Sequence, residues 1–285
     1  MKKLIFPILS GLVLSCTLST AQDVKFKEQI HKEFVVSPQS VLAVYNLNGA
    51  IKIEGYDGNK LLIEVDKTIS AKTTEQLEEG KQELKLEFDQ RNDSVIVYIS
   101  EPWDTRPHQK QDRWNNHKKI HYDHLLNFTI KIPKTLNLVV STINKGDIEV
   151  ENVSGLLKAN NINGRITLKN VKGAHDVHTI NGDVTINYTA LPPNNAKYYT
   201  LNGNLNITYP ANFSGDCEFK SFQGEFFTDF EQIEKLPAKT IKTTSEKNGA
   251  TTYKLDKINT IRIGKGGNNF KFETFNGNIY IKKQS

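Results

Sequence analysis

The sequence predicts an all-β fold. Its expected form is a single-stranded parallel β-helix, a solenoid with coils of about 18–21 residues, an N-terminal strand cap and one polar insertion. Three observations carry this. First, a phrase recurs across residues 141–230: Ser-Thr-Ile-Asn-Lys-Gly146, Asn-Asn-Ile-Asn-Gly164, His-Thr-Ile-Asn-Gly182, Tyr-Thr-Leu-Asn-Gly203 and Lys-Ser-Phe-Gln-Gly224. The glycines lie 18, 18, 21 and 21 residues apart, and a fixed period near twenty marks a repeat architecture. Second, apolar residues follow each glycine at the second and fourth positions, as in Ile148/Val150, Ile166/Leu168, Val184/Ile186 and Leu205/Ile207. Alternation of this kind places them on one face of a strand. Third, the phrase returns in one orientation, whereas antiparallel hairpins would need a reversed strand after each turn. Stacked coils bury rows that a single coil cannot.

The elements follow in order. Residues 22–45 contain Glu33-Phe-Val-Val and Val41-Leu-Ala-Val-Tyr45, strands that cap the stack before an outlying phrase at Gly49 with Ile51 and Ile53. Leu61–Val65 alternates as a strand. Residues 74–84 form the one expected helix, with Thr74 as its cap and Gly80 weakening it. Leu86–Asp89 and Val95–Ile99 read as a strand pair around Arg91-Asn-Asp93. Residues 101–124 break the pattern. They hold two prolines, both tryptophans and four of the seven histidines, and read as a polar loop or insertion. Leu126–Ile132 and Leu136–Val140 are strands on either side of a bend at Pro133. Each Asn-Gly is expected to turn a corner through φ > 0, with Lys145 an inserted corner residue. Position Gly−2 is also apolar in most copies (Leu47, Ile162, Ile180, Leu201, Phe222, Phe275). Second corners follow at Val153-Ser-Gly155 and Val171-Lys-Gly173. Lys247-Asn-Gly249 is a hairpin turn, and the last phrase closes at Gly277 with Ile279 and Ile281.

Residues 1–21 read as a secretory signal: Lys2 and Lys3, the apolar run Leu4–Leu14, and Ser19-Thr-Ala21 before Gln22. Lipidation at Cys16, after Val13-Leu-Ser, is the rival reading. Residues 22–285 form a single domain. The apolar run is too short to cross a membrane, and no later segment is long enough. Removing the leader lowers the formal charge from +5 to +3, so charge makes no case for nucleic acid. Cys217 is then alone, excludes an internal disulfide and reads as a small buried residue.

The order of Ile132-Pro-Lys134, Leu138-Val-Val-Ser-Thr, the Thr-x-Asn-Gly phrases and Gly264-Lys-Gly-Gly267 before Asn276-Gly277-Asn-Ile resembles the bacterial family of putative adhesins, secreted or surface β-helix proteins of mostly unassigned function. The resemblance covers most of residues 40–283 outside 101–124. It implies adhesion and carries over no catalytic residues.

The candidate sites are few. His117, His121 and His124, with Asp112 and Asp123 nearby, would share a face on a helix and suit zinc; a solvated polar loop is favoured, and no metal or other cofactor is assigned. Gly264-x-Gly-Gly267 lacks the Lys-Ser/Thr and following helix of a phosphate loop and reads as a corner. Outward positions Gly+1, Gly+3 and Gly+5 alternate acids with bases or neutral residues, as in Asp147/Arg165/Asp183 and Glu151/Lys169. A catalytic site needs converging acids, so no catalytic residues are assigned. Trp103, Trp114 and Tyr122 are available for stacking on sugars. The expectation is a non-catalytic, exported β-helix presenting a rigid polar surface to an envelope glycan or surface protein. The alternatives are a carbohydrate-active enzyme with its site near residues 101–124, and an envelope structural or sensor component.

Overall fold

The computed structural model describes residues 23–107, 119–247 and 250–285. The chain alternates between two large mixed sheets that share one apolar core. Every Asn-Gly or Gln-Gly phrase joins a strand of one sheet to a strand of the other. In the first sheet the strands after the glycines lie parallel in the order Ile51–Tyr56, Ile148–Glu151, Ile166–Val171, Val184–Tyr188, Leu205–Tyr209, Ile279–Lys283 and Phe226–Thr228. In the second sheet the strands before the glycines stack as Val41–Tyr45, Asn137–Ser141, Leu156–Asn160, Gly173–His178, Lys197–Asn202, Asn269–Asn276 and Gly215–Gln223. The repeats therefore stack rung on rung, in a solenoid-like arrangement.

The expected single-stranded parallel β-helix with an N-terminal strand cap needs two corrections. Both sheets become antiparallel at one end, and the second sheet does so at the other end as well. At one end Lys60–Ala71 and Val24–Val35 add antiparallel strands to the first sheet, and Lys85–Gln90 adds one to the second. At the other, the hairpin Ile233–Lys247 and Ala250–Ile263 covers the outer edge of the strand Gly215–Gln223 from Gly215 to Phe219. The stack also departs from chain order, because the Gly277 phrase inserts between those of Gly203 and Gly224. The hairpin has taken the outer edge of Gly215–Gln223, and the last phrase takes the inner one. The turn at Lys247-Asn-Gly249 falls partly outside the described residues, but the strands either side of it do pair as a hairpin.

The corners explain the phrase. The side chain three residues before each glycine donates to the glycine carbonyl one rung earlier. Thr179 Oγ1 reaches the Gly164 oxygen at 2.9 Å, Thr200 Oγ1 that of Gly182 at 2.8 Å and Thr274 Oγ1 that of Gly203 at 3.0 Å. Asn161 and Ser221 do the same for Gly146 and Gly277. In the first copy the inserted residue shifts the role to Thr142, which donates to the Gly49 oxygen at 2.9 Å. Lys145 takes that insertion in the left-handed region, at φ 60°. The asparagines before the glycines form a directed ladder. Each amide of Asn163, Asn181, Asn202 and Asn276 donates to the carbonyl of the rung before it at 2.7 Å.

Glycine is needed for two reasons: Gly49, Gly182, Gly203 and Gly277 have positive φ as expected, whereas Gly164 does not. At Gly164 the backbone is outside the positive-φ region; a Cβ there would sit 2.3 Å from the Gly146 carbonyl oxygen. Close approach of two rungs, not left-handed backbone, excludes a side chain. The inward positions behave as expected: Ile148, Ile166, Val184, Leu205 and Ile279 are all fully buried. Cys217 is buried too. Three tyrosines that alternation alone would not single out, Tyr188, Tyr198 and Tyr209, bury their hydroxyls in the core. Tyr188 donates to the Ala174 carbonyl at 2.5 Å and meets the Tyr198 hydroxyl at 2.7 Å; desolvation pushes their ionisation well above the usual range.

The helix is Thr74–Glu83, but Thr73 caps it, accepting from the Gln76 amide. Gly80, which weakens the helix in isolation, is buried against Tyr122 and Ile69. A methyl group would meet the Tyr122 ring at 2.7 Å, so packing overrides propensity.

Candidate interaction face

The outward residues of the first sheet align in rows. The Gly+3 row runs Lys52, Glu149, Thr167, Thr185, Asn206, Tyr280 and Phe227 across successive rungs. The Gly+5 row carries Glu54, Glu151 and Lys169 in the same register. Side chains two apart along a strand share a face, so the parallel register converts sequence repeats into straight rows about 4.8 Å from rung to rung.

One end of this face is charged. Lys52, Glu54, Lys131, Glu149, Glu151 and Lys169 surround a shallow depression of about 250 Å³. Opposite charges meet across rungs, with Lys52 Nζ 3.8 Å from Glu149 and Lys131 Nζ 3.9 Å from Glu54. Glu151 and Lys169 lie opposite each other as expected. Asp147 lies beside Arg165 on the next rung, and its carboxylate accepts from the Arg165 backbone N–H at 2.8 Å. Asp183 does the same for Asn204 at 2.7 Å. A fixed backbone donor at each rung outcompetes a long, solvated guanidinium, whose ordering costs entropy.

The other end is aromatic. Tyr280 and Phe227 stack at 5.0 Å with ring planes 13° apart, and Lys282 Nζ lies 5.7 Å from the Tyr280 ring centre. Around the corner Phe275 and Phe222 stack at 4.7 Å and 9°. These are exposed rings: Phe222 is 71% accessible, Phe275 43% and Phe227 42%. Amide groups lie between the two pairs. Asn276 continues the asparagine ladder, and Asn278 Nδ2 donates to the Tyr280 hydroxyl at 3.1 Å. Flat apolar rings beside amide donors and acceptors can hold a ligand that has both an apolar face and hydroxyl groups.

The residues singled out in the sequence fare differently. Tyr122 is not available for stacking. It is 7% accessible, packed under the helix, and burial pushes its hydroxyl up to about 12. Trp103 is 36% accessible; Trp114 lies outside the described residues. The segment 101–124 is less peripheral than expected. Thr105 Oγ1 donates to the Tyr45 carbonyl at 2.7 Å, Arg106 covers the Tyr98 ring at 4.1 Å, and the strand Tyr122–Pro133 already begins inside the segment. The two described histidines of this set, His121 and His124, do not converge. His117 and Asp112 lie outside the described residues. His121 Nδ1 is 3.5 Å from Glu79, whereas His124 points inward on the strand, 4% accessible, and desolvation lowers its pKa to about 4. Asp123 faces outward and pairs with Lys145. Among the described residues no three His, Cys, Asp or Glu side chains gather as a metal site. The Gly264–Gly267 turn is a corner, with Gly264 at φ 60° and Gly266 at φ 75°. The missed residues are Phe222, Phe227, Phe275 and Tyr280. Their signal was aromatic replacement at Gly−2 and Gly+3 in the last two phrases only.

A rack of parallel rungs with its outward side chains in ordered rows defines a repeat-type β scaffold. Residues 134–259, a little under half the chain, match the model of the Toastrack DUF4097 family. No curated protein matches the sequence. Solved structures with similarity include "a putative cell adhesion protein" from Clostridium sporogenes, with 11% identity over 90% of this chain and 100% of that one and a TM-score of 0.37. "A putative adhesin" from Bacteroides fragilis has 13% identity over 90% and 97%, TM-score 0.32. A "putative lipid binding protein" from Parabacteroides distasonis has 11% identity over 90% and 97%, TM-score 0.20. No helix among the described residues is long and apolar enough to cross a membrane.

Proposed function

We propose that this chain is a non-catalytic, exported solenoid whose rigid outer face binds an envelope glycan. The observation that carries this is the row Thr167, Thr185, Asn206, Tyr280 and Phe227, in which hydroxyl and amide groups lead to a stacked pair of rings, half-buried Tyr280 and exposed Phe227. Rigidity supports the reading: the rings sit on paired strands over fully buried Ile279 and Leu205, so little ordering entropy is lost on binding. The charged end sets lysines beside its acids, Lys52 by Glu149 and Lys131 by Glu54, an arrangement suited to a polar binding surface. Export rests on residues 1–21, outside the described residues, with cleavage after Ala21 or lipidation at Cys16 as the two ways of processing the leader.

The test is a glycan array with the mature chain and a Phe227→Ala, Tyr280→Ala variant, with and without a chelator. Chelator-insensitive binding that falls by about tenfold or more in the variant is expected, since losing the apolar contact of two rings is worth at least one factor of ten. Binding that is unchanged in the variant, or no glycan retained at all, would refute the glycan reading. A fusion reporter joined at residue 30 and found inactive outside the cytoplasm would refute export.

A further inference from the structure

The last rung of the first sheet leaves unused hydrogen-bonding groups that the rungs before it use. The N–H two residues after each glycine donates to the next rung. Ile51 donates to Asp147 at 3.0 Å, Ile166 to Asp183 at 3.0 Å, Val184 to Asn204 at 2.9 Å, Leu205 to Asn278 at 3.0 Å and Ile279 to Glu225 at 2.9 Å. The glycine N–H donates likewise at Gly49, Gly182, Gly203 and Gly277, as Gly203 does to Asn276 at 2.9 Å and Gly277 to Gln223 at 3.0 Å. The glycine carbonyl accepts a hydroxyl or amide from the next rung, ending with Ser221 on Gly277. Phe226–Thr228 is the edge of its sheet. Among the described residues, the Phe226 N–H, the Gly224 N–H and the Gly224 carbonyl have no such partner. The core is open at the same place. Phe226 is half-buried, where its counterparts Ile51, Ile148, Ile166, Val184, Leu205 and Ile279 are fully buried.

We propose that this edge is a strand-accepting site for another polypeptide. The occupant is an extended segment lying parallel to Phe226–Thr228, with a small hydroxyl or amide side chain three residues before a glycine. Its chemistry follows from continuity with the interface repeated inside the chain. The hydroxyl takes the Gly224 carbonyl, the backbone carbonyls before and after the segment's glycine take the Gly224 and Phe226 N–H groups, and an apolar residue two past the glycine covers Phe226. The segment's glycine is required because a Cβ there would meet the Gly224 carbonyl, as a Cβ on Gly277 would meet that of Gly203 at 1.9 Å. A folded second copy does not supply such a segment, because its own phrases are already stacked: even its first rung is covered, with Asn46 Nδ2 donating to the Leu126 carbonyl at 2.9 Å. Main-chain pairing of this kind gives affinity, and the side-chain requirement gives selectivity. This site is separate from the glycan row and stands whether or not a glycan binds.

The probe is a fluorescein-labelled synthetic peptide copying residues 199–209, which begins past the Phe219–Asn259 pair that the hairpin occupies, titrated with the mature full chain and followed by anisotropy. Saturable binding is expected, weakened about tenfold or more when the peptide carries valine at the Gly203 position, or when the protein carries Phe226→Pro. The proline removes an N–H that faces away from the paired strand, a position that sheet edges tolerate. If Phe226→Pro alters the thermal melt, the peptide variants, including valine at the Thr200 position, decide alone. Absence of saturable binding, or binding indifferent to those changes, overturns the proposal. A concentration-dependent dimer in sedimentation, with no peptide capture, overturns it in favour of a second copy.

Discussion

Gly164→Ala separates two explanations for the repeated glycine. If glycine were needed for left-handed backbone, the substitution would be mild, because Gly164 does not occupy that region. If it is needed for close approach, the substitution is severe. The new Cβ would lie 2.3 Å from the Gly146 oxygen and 2.6 Å from Asn161 Nδ2. Relief requires the two rungs to part by about 1 Å, a large fraction of the roughly 4.8 Å strand spacing. Parting strains the Asn161 bond to Gly146 and the Ile148 amide bond to Arg165, 3.0 Å each. Overpacking of this kind costs about 3 kcal/mol or more when backbone must move. Gly267→Ala is the control. Its φ is +122° with nothing within 4 Å of the added carbon, so it carries backbone strain alone, about 1–3 kcal/mol. Urea titration followed by far-UV circular dichroism gives both values from one assay. Gly164→Ala is expected to be the more destabilising. A Gly164→Ala protein as stable as the parent, or less perturbed than Gly267→Ala, would refute the close-approach account.

Two further outcomes use the same assay. Thr179→Val keeps the shape of a fully buried side chain but removes the donor to the Gly164 carbonyl, and it should lower stability by about 1–3 kcal/mol; an unchanged midpoint would mean that the corner hydroxyl is dispensable. His124 is held neutral, with its pKa lowered from 6.5 to about 4 by burial. The unfolded chain therefore binds the extra proton, so this contribution is complete above about pH 6.5 and is lost as pH falls towards 4, by up to about 3 kcal/mol. A His124→Gln variant should show a flatter stability profile over that window, and an identical slope would show that His124 is not responsible.

Much of the stack was legible because a two-residue period and a twenty-residue period coincide. Ile166 and Leu168 alternate within a strand, and Ile148, Ile166 and Val184 repeat between rungs, so both the buried face and its neighbours could be named. The rung order at the C-terminal end was not legible. Nothing local in Thr-Phe-Asn-Gly277 says that it stacks on Gly203 instead of following Gly224; that depends on which edge the hairpin Ile233–Ile263 occupies, a contact between distant segments. The corner chemistry was half legible: Thr-x-Asn-Gly was visible as a phrase, but the threonine's role required knowing that a carbonyl from the preceding rung lies beneath it.

The candidate face shows the same division. Its register follows from the repeat, so the placement of Asn206 beside Tyr280 could have been deduced once the order of rungs was known. The order matters because aromatic residues enter only at the last phrases, and insertion of the Gly277 phrase puts Tyr280 against Phe227 and Phe275 against Phe222. In simple chain order Phe227 would instead have stacked on Asn206, and Phe222 on Leu201. The inserted rung thus concentrates four rings at one end of the rack and leaves the charged pairs at the other. It also makes Phe226–Thr228 the edge of the first sheet, so the rearrangement that assembles the aromatic face also exposes the strand edge beside it.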